Sequence, residues 1–449
     1  MDALRQYIDL YREHPQLVEG NSADILNRPR RRALEALENM ALPPVGSEHY
    51  AVTDLSSMLA PDYGVNLARV AIDVNPGASF HCGVPNITTS LHFLMNDIYA
   101  SSGDGECVQE GVFAGSLRRF CELYPDEASR CYGKLAGMEN PVAALNTLLA
   151  QDGFVLRVSK GVKVEKPVQL VSILENGMPL MAVRRLLVIM EEGSEARLLV
   201  CDHTQNPDVE FLALQTVEIF AGPDSRLDYY DLEESTEKTR RLCSLYLRQE
   251  ERSEVLIDGM TIFNGKTRNE YNCAFAGKGG SLRLMGMGIE DRSREVETYS
   301  RVEHLVPECH TDELFKYVVD DEARGSFEGL VYVAEGAEKT EAYQSNRNIV
   351  GSDTARMFSK PQLEIYNDDV KCSHGSAIGQ LDAMQVFYMR TRGLSEATAR
   401  LLLKQAFMAD VIDGVRLEPL RERLRMMVER RFAGEEAGCR SCSGACMVK

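Results

Sequence analysis

Arg185-Leu186-Leu187-Val188-Ile189-Met190, Glu191-Glu192-Gly193-Ser194 and Arg197-Leu198-Leu199-Val200-Cys201 form the stretch whose reading decides the fold. Two short apolar runs flank a polar turn, too short for helices and rich in the branched residues that strands favour. Phe154 to Val158 and Val168 to Leu174 read the same way, and no helix-length segment intervenes until about Asp382. The turn also repeats. Polar turns end in Ser194, Ser225, Ser253 and Ser281, at spacings of 31, 28 and 28 residues, each followed closely by Leu198, Leu227, Leu256 and Leu282. A near-constant period of strands, none able to bury its own face, predicts a solenoid. With no helix in the repeat, that solenoid is a β-helix. A large β-sandwich with turns spaced by chance is the competing reading.

Outward from this core the period changes. Leu4, Ile8 and Tyr11 share one helical face, as do Leu34, Leu37 and Met40. Pro43-Pro44 ends that unit and opens an extended link through His49-Tyr50 to Asp54-Leu55, and Val142 to Leu149 is a further short helix. The region from about Val84 to Cys131 reads as helix and loop. After Gly393, Ser395 is a candidate N-cap and Leu401, Leu402, Phe407 and Val411 an apolar stripe that stops near Asp413-Gly414. Pro419 starts a second helix with Leu420, Leu424, Met427 and Val428 on one face. The expected organisation is a mainly helical N-terminal domain over 1–150, a β-helix core over 151–382, a helical domain over 383–434 and a cysteine-rich tail over 435–449.

The chain has 449 residues with 50 Lys+Arg against 68 Asp+Glu, a net charge of −18. A surface so acidic repels phosphate, which argues against nucleic acid and anionic membrane as partners. No apolar run approaches the roughly 18 residues a membrane span requires. Met1 to Tyr7 carries acid and base and leads into no apolar core, so a cytoplasmic chain is expected, its 12 cysteines thiols or ligands instead of a disulfide framework. Against the acidic whole, Val415 to Phe432 holds six Arg and three Glu, a basic helix suited to an acidic partner surface.

Several chemistries can be set aside. Gly265-Lys266-Thr267 has the tail of a phosphate loop, but position 260 is Met260 and strand lies on both sides. No Gly-x-Ser-x-Gly elbow is present. Metal ligation is better supported. Cys372 and His374 stand two apart, so on an extended strand they face one way, and thiolate with imidazole suits iron or zinc. Two ligands do not complete a site; the rest must come from another segment or chain, or else this is an inert cysteine beside a surface histidine. Cys309 and His310 are adjacent and face apart, which favours an ordinary strand. Cys439, Cys442 and Cys446 form C-x2-C-x3-C, three thiols of an incomplete zinc or iron–sulfur set, or an exposed tail without metal.

Four stretches carry a resemblance: Gly161 to Val168 (GVKVEKPV), Glu335 to Asn348 (EGAEKTEAYQSNRN), Lys360 to Ile365 (KPQLEI), and Asp368 to Gly375 running on to Gly379-Gln380-Leu381-Asp382. With Glu48 to Leu55 (EHYAVTDL), they make the chain resemble the SufB/SufD family of iron–sulfur cluster assembly proteins, nearer the SufD branch. The resemblance implies a right-handed parallel β-helix between helical domains and a side-by-side pairing through the β-helix edge with a SufB-like chain or a second copy. It also implies a SufC-type ATPase held by the C-terminal helices. The family's interface histidine falls on His374 and its neighbouring cysteine on Cys372, which would hold a transient, nascent iron–sulfur cluster. The tail cysteines lie outside the common pattern. The expected role is therefore a non-enzymatic scaffold, with participation of a flavin left open. The alternatives are a β-helix polysaccharide lyase or hydrolase, active without a partner, and a stand-alone metal carrier whose binding is lost on truncation after Ala437.

Overall fold

The computed structural model describes residues 3–70, 89–100 and 107–434. From Phe154 onward, successive strands alternate between two sheets. Leu180–Met190, Phe211–Ala221, Thr239–Gln249, Lys266–Phe275, Glu295–His304, Arg324–Val333 and Arg356–Ile365 stack in one sheet. Val168–Leu174, Glu195–Thr204, Arg226–Glu234, Glu254–Phe263, Ser281–Glu290, His310–Val319, Thr340–Val350 and Val370–Gly379 stack in the other. Neighbours in both runs pair in parallel, as Leu214 with Leu242 and Ile257 with Leu284. This is a β-solenoid of about eight turns, the β-helix expected from the turn period. Consecutive strands lie in different sheets, so hairpins are absent from the run and the sandwich reading fails.

The repeated serine has a physical cause. Ser194, Ser225 and Ser253 are buried, and each hydroxyl donates to the carbonyl three residues back: Glu191 at 2.7 Å, Gly222 at 2.7 Å and Glu250 at 2.8 Å. The residue before each serine is left-handed: Gly193 at φ 68°, Asp224 at 56° and Arg252 at 52°. Only Gly takes that backbone without cost. The hydroxyl bond therefore holds a corner that the backbone alone would resist.

Inside the solenoid, one face of each strand packs in a continuous core that includes Leu198, Tyr229, Ile257, Leu284, Phe315 and Phe327. A charged group interrupts it. Buried Asp202 accepts from Arg184 at 2.6 Å and from Arg241 at 2.7 Å, and Arg241 also reaches Asp231 at 2.6 Å. Two cations against two anions leave this buried network neutral; removing one member would strand a buried charge.

Each outer sheet face carries a helical layer. Helices Arg5–Glu13, Arg30–Glu38, Leu55–Leu59 and Pro141–Leu149 pack with Met181, Leu212, Leu214 and Leu242. Helices Glu396–Gly414 and Glu418–Phe432 bring Met408, Val411, Leu420 and Leu424 onto Leu199, Leu256 and Met285 of the other sheet. Ser395 caps the first of these by accepting from Thr398 N at 3.1 Å. Gly414 ends it where a Cβ would lie 2.5 Å from the Met285 sulfur, so the expected stop is also a close approach. The described residues include no helix long and apolar enough to cross a membrane.

One expectation is corrected. Within the region read as helix and loop, Ser90–Met95 pairs in parallel with Val168–Leu174, and Val112–Ser116 pairs antiparallel with Phe154–Val158. These strands extend the solenoid sheets at their first turn. The runs are too short for a clear period, and their partners are tens of residues away, so only pairing reveals them.

Burial also produces a pH dependence. Asp258 lies beneath the C-terminal helices, in register between Tyr230 and Met285, and neither of its oxygens has a hydrogen-bond partner among the described residues. Desolvation pushes its carboxyl up to about 7, opposed by the Arg283 charge. The folded chain thus holds a proton that the unfolded chain releases near pH 4, so this group's contribution to stability falls as pH rises from about 4 to 7. Asp258→Asn should remove that decline and unfold later than wild type at pH 8, by about 1 kcal/mol or more in denaturant melts.

Candidate functional site

The last two strands, Arg356–Ile365 and Val370–Gly379, end their sheets, and no further described strand lies against their outer edges. In Thr340–Val350 the residues facing the solenoid interior are Thr340, Ala342, Gln344, Asn346 and Asn348, all buried. They stand in register with Val370, Cys372, His374, Ser376 and Ile378. Cys372 and His374 therefore occupy the same face of the final coil, as their spacing predicts, in a row over which no further coil is stacked. Cys372 is half-buried against Val331, Val333 and Ala342, whereas His374 is exposed.

The polar character of this end is built in. Ser359 donates to Asn346 Oδ1 at 2.6 Å and meets Ser376 at 2.7 Å across the two sheets. Asn346 and Asn348 exchange hydrogen bonds, one of them 2.6 Å long. One coil further in, Gln344 Nε2 donates to Glu313 at 3.2 Å, and Ser300 donates to the other Glu313 oxygen at 2.8 Å. Burial pushes the Glu313 carboxyl up to about 7, with these two bonds opposing the rise.

No third His, Cys, Asp or Glu joins Cys372 and His374 among the described residues. Two such groups would supply at most half of a tetrahedral site. Cys309 is buried and His310 exposed, as expected for adjacent strand residues. The tail cysteines Cys439, Cys442 and Cys446 lie outside the described residues. Elsewhere burial makes the thiols poor nucleophiles: it pushes Cys121, Cys131 and Cys243 up to about 12, and raises Cys372 too.

Sequence reasoning missed a second constellation. Ligand atoms of Glu48, His49 and Glu328 lie within 4.8 Å of one another. Lys360 already places its ammonium 3.0 Å from Glu328 and 3.7 Å from Glu48, so an internal cation supplies the positive charge there. The group pins the extended link to the solenoid, together with Glu297, which accepts from the backbone of Ala51 at 2.6 Å and Thr53 at 2.8 Å. Arg268 stacks on Tyr50 at 3.9 Å. Residues 279 positions apart carry no local signal of such a meeting.

Part of the basic C-terminal segment turns inward. Arg416 reaches Asp228 at 3.0 Å and Glu254 at 2.8 Å, Arg423 reaches Glu234 at 3.4 Å, and Arg431 reaches Asp291 at 2.7 Å. These three meet acids of the chain's own solenoid, whereas Arg421 pairs with Glu418 of its own helix and Arg425 and Arg430 are exposed.

Comparison with known proteins fits this architecture. Residues 173–407 match the core-domain model described as "SUF system FeS cluster assembly, SufBD core domain", and residues 1–170 match the SufBD N-terminal region. The chain is 26% identical to an iron–sulfur cluster assembly SufBD family protein of Synechocystis, over 92% of this chain and 93% of that one. It is 34% identical to SufD of Escherichia coli over 37% of this chain and 40% of that one, and 26% identical to SufD of Bacillus subtilis over 65% and 67%. The matched family models, which together span the solenoid and its helical layers, define an assembly protein of the iron–sulfur type. The chain belongs to the SufBD family of iron–sulfur cluster assembly proteins.

The burial pattern predicts thiol reactivity. In peptide-resolved alkylation of the native chain at about pH 7, Cys372 should react well below the rate of a free thiol, and Cys243 and Cys273 only on unfolding. Rapid native labelling of Cys243 would contradict the packing.

Proposed function

We propose that this chain is a non-catalytic scaffold subunit that pairs through the open end of its solenoid and contributes His374, with Cys372 beside it, to a nascent iron–sulfur cluster. The partner is a SufB-like chain or a second copy. The observation that carries this reading is the final coil: two ten-residue edge strands, an interior row ending in thiol and imidazole, and no third ligand among the described residues. Free strand edges are templates for pairing with another chain. Apolar side chains around this end support the same reading, with Phe358 48%, Tyr366 59% and Ile378 48% exposed. Imidazole suits transient holding, since it releases metal on protonation where thiolate retains it.

The second part of the proposal is that the C-terminal helices dock a SufC-type ATPase. The surface we assign to it is helix Ala383–Thr391, since Arg423 and Arg431 of the basic helix are spent on the chain's own solenoid. Met384, Phe387 and Tyr388 share one face of Ala383–Thr391 at i, i+3, i+4 spacing and are 71%, 58% and 58% exposed. Single exposed apolar residues are ordinary, but three together are the mark of a contact surface. ATP-driven closure of the docked subunits would then shear the solenoid pair and uncover His374.

Two experiments test these parts separately. His374→Ala in the co-expressed complex should lower cluster recovered per complex by about tenfold with the complex intact; unchanged cluster content would overturn the role of His374. Phe387→Asp should release the ATPase subunit on gel filtration while leaving the solenoid pairing in place, and an ATPase that still co-elutes would move the dock elsewhere.

A further inference from the structure

The interior column that ends in His374 turns polar only in its last three coils. Read along the register it runs Tyr229, Ile257, Leu284, Glu313, Gln344, His374. Gln344 is 3% exposed, and its Nε2 is committed to Glu313. Its Oε1 is buried and has no hydrogen-bond partner among the described residues. A buried acceptor left unpaired costs about 1–3 kcal/mol, so the position of this one calls for a donor. The next side chain along the column is the His374 imidazole, one parallel strand further on.

Space around the amide has also been kept clear. Gly329 lies on the opposing sheet, and a Cβ built there would fall 2.4 Å from Gln344 Nε2. The neighbouring interior amide offers no alternative, because Asn346 is engaged with Asn348, Ser359 and the Phe315 carbonyl. A metal-binding imidazole almost always donates its other ring N–H to a fixed acceptor, which sets the tautomer and the ring plane.

We propose that Gln344 is the positioning residue for His374: its buried Oε1 accepts from one ring N–H, so that the other ring nitrogen is presented, unprotonated, at the open end of the solenoid. Glu313 and Ser300 hold the amide from behind, and Gly329 leaves room for it. This inference rests on the reading of His374 as a cluster ligand and adds the residue that aims it.

The test uses the full chain labelled with 15N-histidine and followed by long-range proton–nitrogen correlation at about pH 8.5, above the usual imidazole range. His374→Ala identifies the His374 signals. Wild type should show one dominant tautomer. Gln344→Leu, which keeps bulk and removes the acceptor, should mix the tautomers; Gln344→Glu, which keeps an acceptor, should preserve the wild-type pattern. Gly329→Ala should disturb the same signals by pushing on the amide, an arm that does not alter Gln344 itself. Unfolding midpoints confirm that each variant is folded. His374 signals that are the same in Gln344→Leu and wild type would overturn the proposal. Cluster content separates the two claims: in the complex, Gln344→Leu should lose about tenfold and Gln344→Glu should retain most. If His374→Ala lowers cluster content but Gln344→Leu moves neither the nitrogen signals nor the yield, the positioning role fails while the ligand role stands. If His374→Ala leaves cluster content unchanged, the ligand reading fails whatever the tautomer.

Discussion

A solenoid satisfies its backbone by lending each strand's hydrogen bonds to the next coil, so the ladder has no natural end. Everything distinctive about this protein follows from how its two ends are treated. At the first turn, Ser90–Met95 and Val112–Ser116 come back from the N-terminal region and extend the sheets, each carrying one further antiparallel strand, Ile98–Ala100 and Cys107–Gln109. At the last turn, Arg356–Ile365 and Val370–Gly379 are edges, and the interior row that the earlier coils bury is open at Cys372 and His374. The same geometry that leaves a hydrogen-bonding edge also leaves Cys372 and His374 with no described strand stacked over them.

Charge is organised by the same architecture. The chain is strongly acidic, yet many of its cations are internal. Arg184 and Arg241 neutralise Asp202 and Asp231 within the solenoid, and Arg185 is buried against Glu218 under the N-terminal helices. Arg416, Arg423 and Arg431 clamp the C-terminal layer to acids of the solenoid beneath. Arg431 also donates to the Ile262 and Ile289 carbonyls. A basic helix on an acidic chain therefore spends part of its charge on the surface it covers. The outward face of the C-terminal layer includes the apolar group Met384, Phe387 and Tyr388.

Much of the fold was legible because its determinants are local. The serine corners at Ser194, Ser225 and Ser253 repeat since each makes the same hydroxyl-to-carbonyl bond three residues back, and helix stripes, caps and stops lie within a few turns of chain. The Cys372 and His374 pair was legible for the same reason, because strand alternation alone puts them on one face. The Glu48, His49 and Glu328 group and the partners of the arginines were not, because they join residues far apart in the chain.

The sequence by itself determined a β-solenoid with helical flanks and a thiol–imidazole pair in its final strand, because period, turn chemistry and alternation act over about ten residues. Only the tertiary structure decided that this strand is the last of the described ones, that no described strand covers its interior row, that Gln344 stands in register behind His374, and that Arg423 and Arg431 of the basic helix turn to the chain's own solenoid. Those are facts of stacking order and register. Register is set by the coil beneath, which no local stretch of chain contains.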